Sequence, residues 1–116
     1  MNPIQTPITY ADFERIDIRT GQIIAAQPLE GSRKPAYKLH IDFGPDIGIK
    51  KSSAQITQHY QPEQLIGKQI IAVVNFPPKQ IGKFMSEVLV LGLPDPNGAV
   101  ILLSPDQPVP LGGRMF

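Results

Sequence analysis

Residues able to do covalent chemistry are scarce in this chain. His40 and His59 are its two imidazoles, and it has no cysteine. The histidines are too far apart in sequence to form a helical metal pair, and a Cys-free chain has no thiolate nucleophile, disulfide or Cys-ligated zinc. There is no G-x-x-x-x-G-K-[ST] phosphate loop, no G-x-G-x-x-G fingerprint and no G-x-S-x-G elbow. These absences point to a binding protein rather than an enzyme, with no metal and no cofactor.

Residues suited to holding a larger molecule gather in three places. Arg33-Lys34-Pro35-Ala36-Tyr37-Lys38 sets three cations beside an aromatic ring across a strand-entry loop. Cations can meet phosphates while a ring stacks on a base, a combination that suits single-stranded or looped RNA. A charged turn whose Tyr37 packs into the core is the alternative. Lys50-Lys51-Ser52-Ser53-Ala54-Gln55 offers hydroxyls and an amide to phosphate, sugar or peptide backbone, although serines at a strand end also form turns. The third stretch, residues 75–87, combines Lys79 and Lys83 with Phe76, Phe84 and Met85. Apolar groups in a loop are either clamped into the core or offered to a ligand.

Charge follows the same division. Between positions 33 and 83 eight basic residues stand against three acidic ones, an excess of five positive charges in a chain of net charge +1. Clustered Lys and Arg can form a positive face for an anionic partner; a merely solubilising surface is the alternative.

Thirteen prolines and ten glycines in 116 residues leave little room for long helices and favour short strands joined by turns. Thr9 reads as an N-cap with Asp12 at the third helical position, predicting a short helix whose Tyr10, Phe13 and Ile16 share one apolar edge. Strands are expected over 18–26, around 38–43 (Leu39, Ile41 and Phe43 inward; Lys38, His40 and Asp42 outward), 49–53, 69–75 and 99–103. A helical turn starting at Pro62-Glu63 should link the third and fourth strands, and 76–83 reads as a loop. The runs at 88–91 and 99–103 are apolar without alternation and need cover on both faces. A second copy supplies that cover economically, through the Tyr10/Phe13/Ile16 edge or the tail 109–116.

The elements add up to an all-β fold: a five-stranded OB-fold barrel with a short N-terminal helix and a helical turn between strands 3 and 4. Residues 1–116 form one domain, divided into an arm and helix (1–16), the barrel (17–104) and a tail (105–116) expected at a dimer contact. The N-terminal stretch lacks a basic start followed by an apolar run, so neither a signal peptide nor membrane insertion is expected, and a cytoplasmic location follows.

Several of these segments also resemble a known family. Arg33-Lys34-Pro35-Ala36-Tyr37-Lys38, Ser52-Ser53-Ala54-Gln55-Ile56-Thr57 and Asn75-Phe76-Pro77-Pro78, closed by Ser86-Glu87-Val88-Leu89-Val90-Leu91-Gly92, are similar to the CsaA-type export-related chaperones, in order and at matching separations. The likeness runs from about Phe13 to the C-terminus. CsaA-type proteins belong to the wider tRNA-binding-domain family, which is also appended to some methionyl- and phenylalanyl-tRNA synthetases. The resemblance implies a homodimeric OB-fold and a chaperone for unfolded or export-bound polypeptides, and the apolar loop residues Phe76, Phe84 and Met85 offer a physical route, as the lining of a groove for an extended peptide. It further implies an RNA-contacting surface whose serine after the third strand, asparagine ending the fourth and serine opening the fifth fall on Ser53, Asn75 and Ser86. With the cations Arg33, Lys34, Lys38, Lys50, Lys51, Lys79 and Lys83 these make the expected RNA-binding set. Many tRNA-binding domains read Ser-x-Gly-Met at the last position, where this chain reads Ser86-Glu87-Val88-Leu89. Two functions stand side by side: a polypeptide-binding chaperone with tRNA as a second partner, or a structure-selective RNA-binding module with no client.

Overall fold

The computed structural model describes residues 2–116. Thr9 caps the first helix as its neighbours require. Its hydroxyl accepts the Asp12 amide at 3.1 Å and the Asp12 carboxylate accepts the Thr9 amide at 3.1 Å, a reciprocal box that starts α1 (Tyr10–Glu14). The chain continues through β1 (Ile18–Pro28), β2 (Tyr37–Asp42), β3 (Ile49–Ala54), α2 (Pro62–Leu65) and β4 (Gln69–Val73). Five shorter strands complete it: β5 (Lys79–Ile81), β6 (Phe84–Ser86), β7 (Leu89–Val90), β8 (Gly92–Pro94) and β9 (Val100–Leu102).

Five strands, in the order β3-β2-β1-β4-β7, form one antiparallel sheet that curls into a nearly closed barrel. Its core follows from alternation. Along β2 the side chains of Tyr37, Leu39 and Ile41 are buried, while Lys38, His40 and Asp42 lie half-buried on the other face. Phe43, Ile23, Ile56, Ile70, Ala72, Val88 and Leu102 fill the interior, and the short α2 inserts the fully buried Leu65. Gly21 sits where β1 crosses this core most closely. A Cβ there would stand 2.5 Å from Ile41 Cγ2 and 2.7 Å from Phe43 Cε1, so only a residue without one fits.

The two ends of the sheet meet along a seam sealed by side chains. Glu87 N donates to Lys51 O at 2.8 Å, and Lys51 N donates to Glu87 Oε1 at 2.9 Å. Ser53 N donates to Ser86 Oγ at 3.0 Å, and the buried Ser52 hydroxyl donates to Val88 O at 3.1 Å. Edge amides of β3 are thus satisfied mainly by side-chain oxygens, which leaves little free edge for another strand.

Two segments differ from the sequence reading. The stretch read as a loop at 76–83 contains β5, which pairs with β6 (Lys79↔Ser86, Gln80↔Met85, Ile81↔Phe84) as a hairpin turning at Gly82. Pro77 and Pro78 precede the ladder, so they cost it no donor. The reading also places the fifth barrel strand at 99–103, but β7 takes that place by pairing with β4, and β9 pairs with β8. Asp95 explains the second difference: its Oδ1 accepts the Asn97 and Ala99 amides, both at 2.8 Å, and the resulting tight turn folds 100–102 back on 92–94.

The tail packs against the barrel. Gly112 N donates to Thr20 O at 2.8 Å, Thr20 N to Gly113 O at 3.1 Å and Met115 N to Ile18 O at 2.8 Å, lining the tail along the first part of β1. The Gln69 side chain grips it further back, donating to Val109 O at 2.7 Å and accepting the Val109 amide at 3.1 Å. No helix among the described residues is long and apolar enough to cross a membrane.

Candidate functional site

Beside the seam the surface opens into a groove of about 640 Å³. One wall is the end of β3 and the residues after it, Ser53, Gln55 and the buried Ile56; the other carries Phe76, Lys79 and Ile81 from the β4–β5 connection and hairpin. Val88, Leu89, Val90, Val100 and Leu102 make the floor. The groove is therefore apolar inside, with Ser53, Gln55, Lys79, Ser86 and Glu87 at its polar margin. The sequence signal for this floor is the pair of runs without alternation at 88–91 and 99–103: Val88, Val90, Val100 and Leu102 pack on the core and also line the groove, while Leu89 and Ile101 of the same runs are exposed. Ile56, Val88, Leu89, Val90, Val100 and Leu102 were not singled out from sequence as lining, where the outer face of these runs is expected to meet a second copy.

Of the residues singled out from sequence, the structure gathers Ser53, Phe76, Lys79 and Ser86 here. Lys38, Lys83 and Phe84 come together elsewhere, around a depression of about 480 Å³ shared with Leu29 and Glu30. Lys51 joins this second group, its ammonium 5.4 Å from the centre of the Phe84 ring, a cation–π arrangement. Lys50 points to the opposite face of β3 from Lys51, as neighbouring strand residues must. Met85 alternates away from Phe84 and Ser86 and is exposed, so the three apolar residues expected to act together are dispersed. Arg33 and Lys34 are exposed; Lys34 borders a more polar depression that adjoins the groove, with Gln55, Gln58 and Asn97.

Three other side chains named from sequence have defined surroundings. Tyr37 is core, not a stacking platform: it is buried and its hydroxyl donates to Tyr60 O at 2.7 Å. Asn75 spends both ends of its amide inside the chain, accepting the Asp17 amide at 3.0 Å and donating to Arg15 O at 2.8 Å, which ties the exit of α1 to the end of β4. His40 is only half exposed, and its Nδ1 is shut from solvent without a hydrogen-bond partner among the described residues.

Two carboxylates, Asp17 and Asp95, anchor side-chain contacts at the periphery. The Arg19 guanidinium, hydrogen-bonded at 2.6 Å, holds the Asp17 carboxyl below its ordinary range against the opposing effect of burial, and the charge of Arg114 reinforces it. His59 Nε2 lies 2.7 Å from Asp95 Oδ2; that hydrogen bond, helped by the Ala99 and Asn97 amides, likewise lowers the Asp95 pKa. His59 thereby clamps the turn before α2 to the β8–β9 turn. No group of three or more His, Asp or Glu side chains among the described residues is placed to hold a metal ion.

Comparison with known proteins agrees with the fold. Residues 18–114 match the family model described as "Putative tRNA binding domain". The crystal structure of chaperone CsaA from Bacillus anthracis str. Ames superposes with a TM-score of 0.90 at 48% identity, covering 96% of this chain and 100% of that one. The CsaA chaperone protein from Picrophilus torridus gives 0.88 at 55% identity, covering 95% and 100%. Methionine–tRNA ligase of Porphyromonas gingivalis is 30% identical over 113 residues, which are 97% of this chain but 16% of the ligase. The chain thus spans about a sixth of the length of the curated relatives it matches. A barrel matched nearly end to end by two CsaA proteins at about half identity shares their ancestry as well as their fold, and the chain belongs to the CsaA-type proteins of the tRNA-binding-domain family.

Proposed function

We propose that the chain is a non-catalytic, homodimeric binding protein that holds unfolded or export-bound polypeptides in the groove beside the barrel seam, with tRNA as a second ligand on its basic margin. The observation that carries this reading is the groove's composition: apolar side chains from 76, 81, 88–90, 100 and 102 line a trough open at the surface and rimmed by hydroxyl, amide and ammonium groups. Apolar side chains of an extended client lose water in such a trough while the rim meets its backbone. The chaperone names of the CsaA relatives support it. A role with unfolded polypeptide and tRNA belongs to the cytoplasm.

Structure-selective RNA binding remains the second reading, favoured by the local excess of positive charge between 33 and 83. Salt separates the two ligands. Binding of tRNA releases counterions and weakens steeply as salt rises, whereas apolar binding of a reduced, unfolded client changes little. Parallel titrations at low and high salt should show that contrast. Phe76→Ala should weaken client binding about ten-fold, as truncation of a central aromatic anchor does, and leave tRNA binding in place. Lys38→Glu combined with Lys83→Glu, two cations that line the depression away from the groove, should remove tRNA binding and spare the client. Equal loss of both ligands in a folded double variant rejects the two-ligand reading, and loss of tRNA alone with no client binding by the unaltered protein establishes the RNA-only function.

A further inference from the structure

The polar depression next to the groove has no role in the reading so far. Lys34, Gln55, Gln58 and Asn97 line it together with Pro35, Gly98, Ala99 and Val100, and its volume is about 490 Å³. Gln55 and Val100 belong to both its wall and the wall of the apolar groove, so the two are consecutive stretches of one trough. The character of the trough changes across those two residues, from Val88, Val90 and Leu102 on one side to an ammonium and three amide side chains on the other.

Three features make the polar stretch a receiver of negative charge. Neither the Lys34 ammonium nor the side-chain amides of Gln55, Gln58 and Asn97 are hydrogen-bonded within the chain among the described residues, so their N–H groups are available. No carboxylate lines the depression. The acidic residue of the adjoining turn, Asp95, is already engaged by His59 on one oxygen and by the Asn97 and Ala99 amides on the other.

We propose that this depression is a carboxylate-binding subsite of the polypeptide groove, so that the favoured client presents an acidic group beside an apolar segment. The inference rests on the polypeptide reading given above. A carboxylate accepts several N–H bonds at once and is attracted by Lys34; a client lysine can donate to the amide oxygens at the same point but meets the like charge of Lys34. The acidic group can be a side chain or the client's own C-terminus, which share this chemistry.

Fluorescent extended peptides test it on the full chain. Each carries one apolar segment followed, at successive positions, by Glu, Gln or Lys, and each is made with a free and with an amidated C-terminus. Anisotropy titrations should show the Glu peptide binding about three- to five-fold tighter than its Gln counterpart, the scale of a solvated ion pair, with Lys weakest. Lys34→Gln should bring the Glu and Gln peptides to equal affinity, and Lys34→Glu should turn the preference toward Lys. A preference that follows the free C-terminus and disappears in Lys34→Gln upholds the subsite with the chain end as its ligand. Peptides that bind without regard to the flanking residue, or a Glu preference that survives Lys34→Gln, overturn the subsite and leave the groove standing. If no peptide binds the unaltered protein at all, the polypeptide reading falls and the subsite falls with it.

Discussion

Ser86 and Glu87 do at the barrel seam what a neighbouring strand's carbonyls do elsewhere, since their side-chain oxygens accept the Ser53 and Lys51 amides. Removing such an acceptor leaves a half-buried amide without its partner, which costs about 1–2 kcal/mol. Glu87→Ala should therefore lower the unfolding free energy measured in urea by that amount, while Glu87→Gln, which keeps a side-chain oxygen, should retain most of the stability. At the two positions that depart from the Ser-x-Gly-Met pattern, Val88 is buried in the core and Leu89 is exposed at the groove. Ser53 and Ser86, expected to contact RNA, are already hydrogen-bonded to each other through the Ser53 amide, so any nucleic acid meets them as parts of the seam.

Strand β1 and the tail are the elements on which the rest depends. Gly21 in β1 faces Ile41 and Phe43 at distances a methyl group cannot share, so Gly21→Ala should destabilise by about 1–3 kcal/mol through overpacking, read as a lower melting temperature with an unchanged fold. The tail is pinned to the same strand near the Asp17–Arg19 pair, with Arg114 Nε 3.7 Å from Asp17 Oδ1. Because the folded pKa of Asp17 is depressed, its contribution is present above the ordinary aspartate range, about pH 4, and is lost as pH falls through the lower folded value. The unfolded chain binds the proton first, so stability declines with acidification there. Asp17→Asn should flatten this acid limb in a series of urea midpoints measured against pH, and should cost stability at neutral pH.

At the scale of the whole molecule, the apolar edge of α1 and the C-terminal end, alternative dimer contacts in the sequence reading, lie side by side. Tyr10, Phe13, Ile16, Met115 and Phe116 line one shallow depression with Glu14 and Arg114, and Tyr10 is 67% exposed. We place the second copy of the proposed homodimer on this patch, because joining two such patches removes from water the largest apolar side chains at that end of the barrel. Sedimentation equilibrium should then give twice the 12.7 kDa chain mass. Tyr10→Glu combined with Met115→Glu should shift the mass toward the monomer while leaving the barrel's melting cooperative; a dimer indifferent to this pair of changes puts the interface elsewhere.

Local rules carried much of the fold. Thr9 and Asp12 set the first helix, alternation along 38–43 sorted core from surface, Pro62 marked α2, and the ordered motifs from Arg33 to Gly92 were enough to recognise the family. These are properties of neighbouring residues, and a linear chain displays them. The groove was legible only as an anomaly, two runs with too many apolar residues, because which face of a strand is covered depends on what folds over it. Tertiary structure alone decided that Phe76 lines the groove while Phe84 lies beside Lys51, that the Tyr37 hydroxyl meets Tyr60 in the core, and that Gln55 and Val100 join an apolar trough to a polar one. Each of these is a meeting of segments distant in sequence, set by barrel closure and hairpin pairing, and no spacing along the chain encodes it.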